Sequence, residues 1–293
     1  MKLPAPDYPA PAKLNLFLHV VGRRADGYHL LQSAFALIDR SDTIRLRVRE
    51  DGAIVRVSQL DGVLPEDDLV VRAARLLQEA SGTTKGADIE VEKRIPMGGG
   101  LGGGSSDAAT VLLALDRAWG TGFGPQALAE IGVTLGADVP FFLFGQPAFA
   151  EGIGERLRAI ELPPRWYLVV APPVAVPTAG IFAAPELTRD TQSLKMEDFS
   201  AQLAAGNWMH LANDLQPVVV RRYPAVARAL EELHEAGCQG RMTGSGSCVF
   251  AAFEQREGAQ SVLDRLQEHW RVSGQPMQGF VARGLAVHPL CVE

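Results

Sequence analysis

The chain has 293 residues, 47% hydrophobic and 21% charged. That balance excludes global disorder and suits one large domain or two of ordinary size. The formal charge of −6 and the lack of a long Lys/Arg run argue against nucleic acid or an anionic membrane as partner. The most apolar long stretch, Trp166 to Pro177, holds three prolines and is too short to span a bilayer. The first residues lack the apolar core of a secretory signal. Cys238, Cys248 and Cys291 form no CxxC pair, which argues against a disulfide frame or zinc and for reduced thiols in the cytoplasm.

Along residues 12–20, Leu14, Leu16, Leu18 and Val20 alternate with Lys13, Asn15, Phe17 and His19. This predicts a strand with one oily and one mixed face. Thr43 to Arg49 alternates likewise, with Ile44, Leu46 and Val48 expected inward and Arg45, Arg47 and Arg49 outward. The turn dipeptide Asp51-Gly52 predicts a hairpin into Ala53 to Val57. Asp68 opens a helical pattern that stops at Gly82, and Ala87 to Lys93 is a further strand. A glycine-rich loop follows, then helices from about Ser106 to Trp119 and from about Pro125 to Leu135. After Leu162-Pro163-Pro164 come a strand at Trp166 to Ala171 and a helix at Pro224 to Ala236. Short strands at Arg241 to Thr243 and Cys248 to Phe253 follow, then a helix at Gly258 to Trp270 and a strand at Gly279 to Arg283. The order predicts a βαββαβ second unit. The expected domains are therefore 1–160 and 161–293.

Six of the seven residues from Gly98 to Gly104 are glycine. Glycine permits positive φ and lets backbone amides approach a ligand closely. The loop leaves a strand and enters a helix that Ser105 or Ser106 can cap, which makes a phosphate cradle. A flexible linker rarely leads into such a helix, no Gly-Lys-Ser/Thr follows as in a P-loop, and the preceding strands look antiparallel rather than dinucleotide-binding.

Other segments speak less clearly alone. Lys13 is either a phosphate-binding lysine or a solvated strand residue, with Asn15 on its face. Asp138 precedes the apolar run Val139 to Phe144 and is either a helix cap or a paired functional carboxylate. Tyr28 and His29 follow the turn Asp26-Gly27, and Thr243-Gly244-Ser245-Gly246-Ser247-Cys248 is a tight turn between strands.

Together the segments resemble the GHMP kinase superfamily. The resemblance rests on Pro11-Ala12-Lys13-Leu14-Asn15-Leu16, Arg24-Ala25-Asp26-Gly27-Tyr28-His29, the loop from Pro96 to Ala109, Leu135-Gly136-Ala137-Asp138-Val139-Pro140, Ala148 to Glu155, and the Thr243 to Gly246 turn. These lie in family order and cover nearly the whole chain. The extra loop glycines favour the members that phosphorylate a methylerythritol carrying a cytidine diphosphate, in non-mevalonate isoprenoid synthesis. Kinases of homoserine or mevalonate are the nearest rivals, and a nucleotide-binding module without catalysis is the alternative from another class.

The resemblance implies an α+β, two-domain fold. Its N-terminal domain would be ribosomal S5-like, its C-terminal domain ferredoxin-like, with the site in the cleft between them. It implies that Pro96, Met97, Gly98, Gly99, Gly100, Leu101, Gly102, Gly103, Gly104, Ser105 and Ser106 wrap the phosphates of ATP. Asp138 would be the catalytic carboxylate and Lys13 its partner. Asn15 and His29 would hydrogen-bond the substrate, and Tyr28 and Phe182 would sandwich its cytosine. Mg²⁺ is the implied metal, with no ligands identified from sequence.

Overall fold

The computed structural model describes residues 3–291 except residue 61. Two long strands organise the first half: β1 (Tyr8–Arg23) and β2 (His29–Arg49), paired antiparallel over nearly their whole length. β3 (Ile54–Arg56), α1 (Leu69–Ser81) and β4 (Gly86–Glu92) follow, then α2 (Gly103–Trp119), α3 (Gly124–Leu135), α4 (Val139–Phe144), β5 (Ala148–Glu151) and β6 (Arg156–Ala159). The remainder contains β7 (Trp166–Ala171), α5 (Thr178–Phe182), α6 (Met196–Ala204), α7 (Gln216–Arg222), α8 (Pro224–Glu235), β8 (Arg241–Met242), β9 (Val249–Phe253), α9 (Arg256–Ser273) and β10 (Gln278–Leu285). Among the described residues, no helix is long and apolar enough to cross a membrane.

The later strands run β10-β7-β9-β8 across their sheet. Numbered within that unit they read 4-1-3-2, which with α8 and α9 in the crossovers is the ferredoxin-like arrangement. β10 also pairs with β2 through Gly284–Ile38 and Leu285–Leu37, so the two sheets are hydrogen-bonded into one. Asp68 caps α1 by accepting from the Val70 amide, and Gly82 closes it in the left-handed conformation, as its sequence predicts.

Four expectations need correction. The oily face of β1 is not continuous, because the register with β2 shifts between Asn15 and Phe17. A bulge reverses which side later residues face. Leu14 and Leu16 therefore pack with Phe17 in one cluster, whereas Leu18 and Val20 pack in another. Arg45 does not point to solvent: only 2% of its side chain is exposed, and it pairs with Asp7, Glu90 and Glu92. β3 is no hairpin partner of β2, since it pairs in parallel with β4. Finally, α2 starts at Gly103, behind Gly102 at φ 71°, and no serine side chain caps it. Periodicity also passed over α5, α6 and α7, which are short and lie in irregular connections.

A core cluster crosses between the halves. Phe17 of β1 lies 5.3 Å from Phe199 of α6, and Phe149 of β5 lies 6.0 Å from Phe199, centroid to centroid. All three rings are fully buried. This contact is part of the packing that joins the later unit to the first. Phe199→Ala is expected to lower the unfolding free energy by about 3–5 kcal/mol, the usual cost of removing a buried ring. Urea unfolding followed by tryptophan fluorescence measures this, and a loss below about 1 kcal/mol would mean that the ring is not structural.

Candidate active site

Three cavities adjoin, and the first and third of them lie where the two halves meet. The central one, about 310 Å³, is walled by Lys13, Asn15, Ser33, Phe35, Asp138, Ser105 and the turn Gly244-Ser245-Gly246. A second, about 430 Å³, follows the glycine loop from Pro96 to Ser105 and is bordered by Leu60, Val63, Leu69 and Lys93. A third, about 530 Å³, holds Tyr28, His29 and Phe182. The central cavity shares Gly98, Gly100, Gly102 and Ser105 with the second, and Leu31, Ala137, Ile153, Thr178 and Phe182 with the third. The three therefore form one trough, with the loop at one end and the aromatic pocket at the other.

The bulge in β1 sets the centre of this trough. It leaves Lys13, Asn15 and Leu18 all lining the cavity. Lys13 is 3% exposed. Its Nζ lies 3.3 Å from Asp138 Oδ2, donates to Asn15 Oδ1 at 2.5 Å and sits 5.2 Å above the Phe35 ring. Asn15 Nδ2 donates to Ser33 Oγ at 2.8 Å, and Ser33 Oγ in turn donates to the Phe17 carbonyl. The amide is thus held with its carbonyl toward the ammonium. Asp138 stands at the N-terminus of α4 but makes no capping hydrogen bond. Its carboxylate, 35% exposed, is left to Lys13 and the cavity.

The glycine loop is held from both sides. The Lys13 amide donates to the Leu101 carbonyl at 3.0 Å, and the Cys248 amide donates to the Gly99 carbonyl at 3.1 Å. Gly98, Gly100 and Gly102 all adopt positive φ, near 70°. At Gly100 a Cβ would come within 2.3 Å of the Thr243 carbonyl oxygen, so loop and turn meet only because that residue is glycine. Beyond the loop, the amides of Gly103, Gly104 and Ser105 occupy the first turn of α2, where no helical acceptor exists. Free amides at a helix start are the kind of group that can hold an anion. The Ser106 amide donates to the Gly102 carbonyl and its hydroxyl to the Pro11 carbonyl, so Ser106 ties the loop to β1.

Beside the loop lies an ionic cluster that sequence reasoning missed. Lys93 Nζ pairs with Asp42 and, at 2.7 Å, with Asp107 Oδ2. Asp107 Oδ1 is buried with no partner. Burial, the facing Lys93 and the nearby Asp42 leave the Asp107 carboxyl pushed up to about 7. Burial opposes the Lys93 ammonium, but the charges of Asp107 and Asp42 outweigh it and raise its pKa. The three residues are far apart in sequence and no motif links them.

In the third cavity Tyr28 is 61% exposed. The Phe182 ring packs on His29, 5.1 Å between centroids and tilted by 33°. All the residues expected at the base pocket are therefore together. The sequence reading omitted Arg189, which donates to His29 Nε2 at 3.1 Å. Among the described residues, no group of three or more His, Cys, Asp or Glu side chains forms a metal cage.

Residues 68–146 match the family model of the GHMP kinases N terminal domain, and residues 196–272 that of the GHMP kinases C terminal. The chain is similar to 4-diphosphocytidyl-2-C-methyl-D-erythritol kinase of Thiobacillus denitrificans, 59% identical over 97% of this chain and 96% of that one. The Bordetella bronchiseptica protein of the same name is 55% identical over 97% of each. A crystal structure of 4-(cytidine 5'-diphospho)-2C-methyl-D-erythritol kinase superposes with a TM-score of 0.79 at 36% identity, covering 96% of this chain and 100% of that one. Homoserine kinase from Cytophaga hutchinsonii shares the fold, with a TM-score of 0.70 at 17% identity over 98% and 97% of the two chains.

The raised Asp107 pKa has a sign for stability. The folded protein keeps that proton up to about pH 7, whereas the unfolded chain releases it near its ordinary value of 3.8. Between these the folded state binds more protons, so this contribution to stability is lost as pH rises. Asp107→Asn removes the titration. Wild type minus variant in unfolding free energy is expected to fall by on the order of 1–3 kcal/mol between about pH 5 and about pH 8. Urea titrations at both values test this, and parallel profiles would refute the assignment.

Proposed function

The chain belongs to the GHMP kinases and, within them, to the 4-diphosphocytidyl-2-C-methyl-D-erythritol kinases, and we infer that it transfers the γ-phosphoryl group of ATP to the 2-hydroxyl of that cytidyl substrate in non-mevalonate isoprenoid synthesis. The observation that carries the reading is the Lys13–Asp138 contact of 3.3 Å, midway along the trough. It stands between an anion-binding loop and an aromatic pocket, where a γ-phosphate from one side would meet an alcohol from the other.

Phosphoryl transfer needs positioning and charge neutralisation more than covalent help. The amides of Gly103, Gly104 and Ser105 would hold phosphate oxygens, with the backbone from Pro96 to Gly102 shaping the nucleotide's bed. Asp138 would accept the hydroxyl proton, because its side chain is far more open than that of the enclosed Lys13. Lys13 would stabilise the developing alkoxide, and Asn15 would orient Lys13 and touch the substrate. Tyr28 and Phe182 would stack on cytosine, and His29 would hydrogen-bond it. Mg²⁺ fits the donors present: it needs only one or two protein oxygens beside substrate phosphates and water, and Ser105 lines the cavity beside the loop. When bound, it would neutralise phosphate charge. Residues 1–160 would supply the nucleotide loop and the Lys13–Asp138 pair, residues 161–293 Phe182 and the Gly244 turn. Dependence on ATP suits a cytoplasmic setting.

Asp138→Asn is expected to lower kcat at least about a hundredfold while ATP affinity stays within about threefold. A coupled ADP-release assay with the cytidyl substrate measures the first and isothermal titration the second. Retention of kcat within about threefold would remove Asp138 as the base. In the same assay, Tyr28→Ala is expected to raise the KM for the cytidyl substrate about tenfold, the effect of losing one base–aromatic stack. An unchanged KM would take Tyr28 out of the stack.

A further inference from the structure

Arg189 touches both walls of the aromatic pocket. It sits half-buried in the connection between α5 and α6. Its Nη1 donates to the Leu187 carbonyl at 2.9 Å, and its Nη2 donates to the carbonyls of Phe182 at 3.2 Å and Ala184 at 2.6 Å. Those three carbonyls belong to the backbone that carries Phe182, so the guanidinium is fixed from that side. Its Nε then donates across the cleft to His29 Nε2 at 3.1 Å.

A guanidinium has donors only and stays protonated. The nitrogen facing it must therefore hold a lone pair, which makes His29 neutral with its proton on Nδ1. The surrounding charges act in the same direction. Burial, then the cations of Arg189 and Arg23, hold the His29 pKa below its ordinary range. Asp26 and Tyr28 are the other titratable groups lining this pocket. The ring nitrogen left for a ligand is a fixed donor. In a free imidazole the two tautomers exchange, and the same nitrogen would serve as donor or acceptor.

We propose that Arg189 is a positioning residue that locks His29 in the Nδ1–H form and thereby sets the pocket to take cytosine over uracil. The inference rests on the function proposed above. Cytosine presents an acceptor at N3, which satisfies a fixed donor. Uracil carries N–H there, so two donors would face each other. A donor left facing a donor costs binding that a matched donor and acceptor keep.

The test joins nitrogen-15 NMR of the full-length protein with kinetics of Arg189→Met on the cytidyl substrate and its uridyl analogue. In the unsubstituted protein near neutral pH, His29 is expected to show a protonated Nδ1 and a bare Nε2. In Arg189→Met, the ring is expected to show mixed tautomers. The cytidyl-over-uridyl ratio of kcat/KM should fall at least about tenfold, through KM, with kcat for the cytidyl substrate within about threefold. A proton found on Nε2 in the unsubstituted protein overturns the inference without any variant, which keeps it testable if Arg189→Met does not fold. An unchanged ratio in a folded variant also overturns it. Failure of the unsubstituted protein to phosphorylate either substrate would instead sink the functional reading and this inference with it. Turnover of the cytidyl substrate with the ratio unmoved would sink the Arg189 inference alone.

Discussion

Three backbone segments meet at the trough with no space for a side chain between them, and the site depends on that approach. A Cβ at Gly99 would lie 2.5 Å from Cys248 Sγ, one at Gly100 2.3 Å from the Thr243 carbonyl, and one at Gly244 2.9 Å from the Gly100 carbonyl. The closeness lets β1 hydrogen-bond to the loop at Leu101 while the later turn hydrogen-bonds to it at Gly99. The Asn15 amide completes the tie by donating to Thr243 Oγ1 at 2.8 Å. A glycine-rich segment free in solvent would have to lose much backbone freedom on binding phosphate. Held from two sides, this one has already lost it in folding, so its amides would meet a phosphate preorganised.

The regular elements were legible in the sequence where each is decided locally. The Asp68 cap, the Gly82 stop and the continuous apolar run of β7 all follow from local pattern. What was hidden depends on partners remote in the chain. The bulge at Leu16 exists because β1 must match β2, and it moves Leu18 onto the face of Lys13. Arg45 reads as a solvent residue until Asp7, Glu90 and Glu92 are folded around it. The β3–β4 pairing passes over the whole of α1, whereas a turn dipeptide reports only its neighbours. Within the site, the glycine loop announces itself by composition. Lys13 and Asp138 were drawn together only by resemblance, since a lone lysine and a lone aspartate carry no spacing signal. Arg189 lies in a connection without period, and nothing local marks it.

The central ion pair is unequal in a way that assigns its chemistry. The ammonium is almost wholly enclosed by Asn15, Asp138 and the Phe35 ring, whereas about a third of the carboxylate surface remains open. An enclosed cation with no counter-charge would be costly, so Asp138 is needed for Lys13 to sit there at all. The enclosed partner keeps a fixed positive potential at the cavity wall. The open partner is the one an incoming hydroxyl can reach. In the proposed reaction, acceptance of a proton would therefore fall to the carboxylate and stabilisation of oxygen charge to the ammonium.

Chemistry and substrate choice reside on different kinds of structure. Lys13 and Asn15 lie on β1, bound on both sides, and the first amides of α2 belong to a long helix packed in the core. These parts do not depend on which alcohol is presented. Tyr28, His29, Phe182 and Arg189 come instead from the β1–β2 turn, from short α5 and from the link that follows it. Turns can change length and sequence without disturbing β1 or α2, so acceptor identity can drift there while the reacting centre stays fixed. The base pocket is also the place where the two halves supply facing walls. Under the proposed function its selectivity would therefore depend on how the later unit is seated on the first, where Phe17, Phe149 and Phe199 pack together.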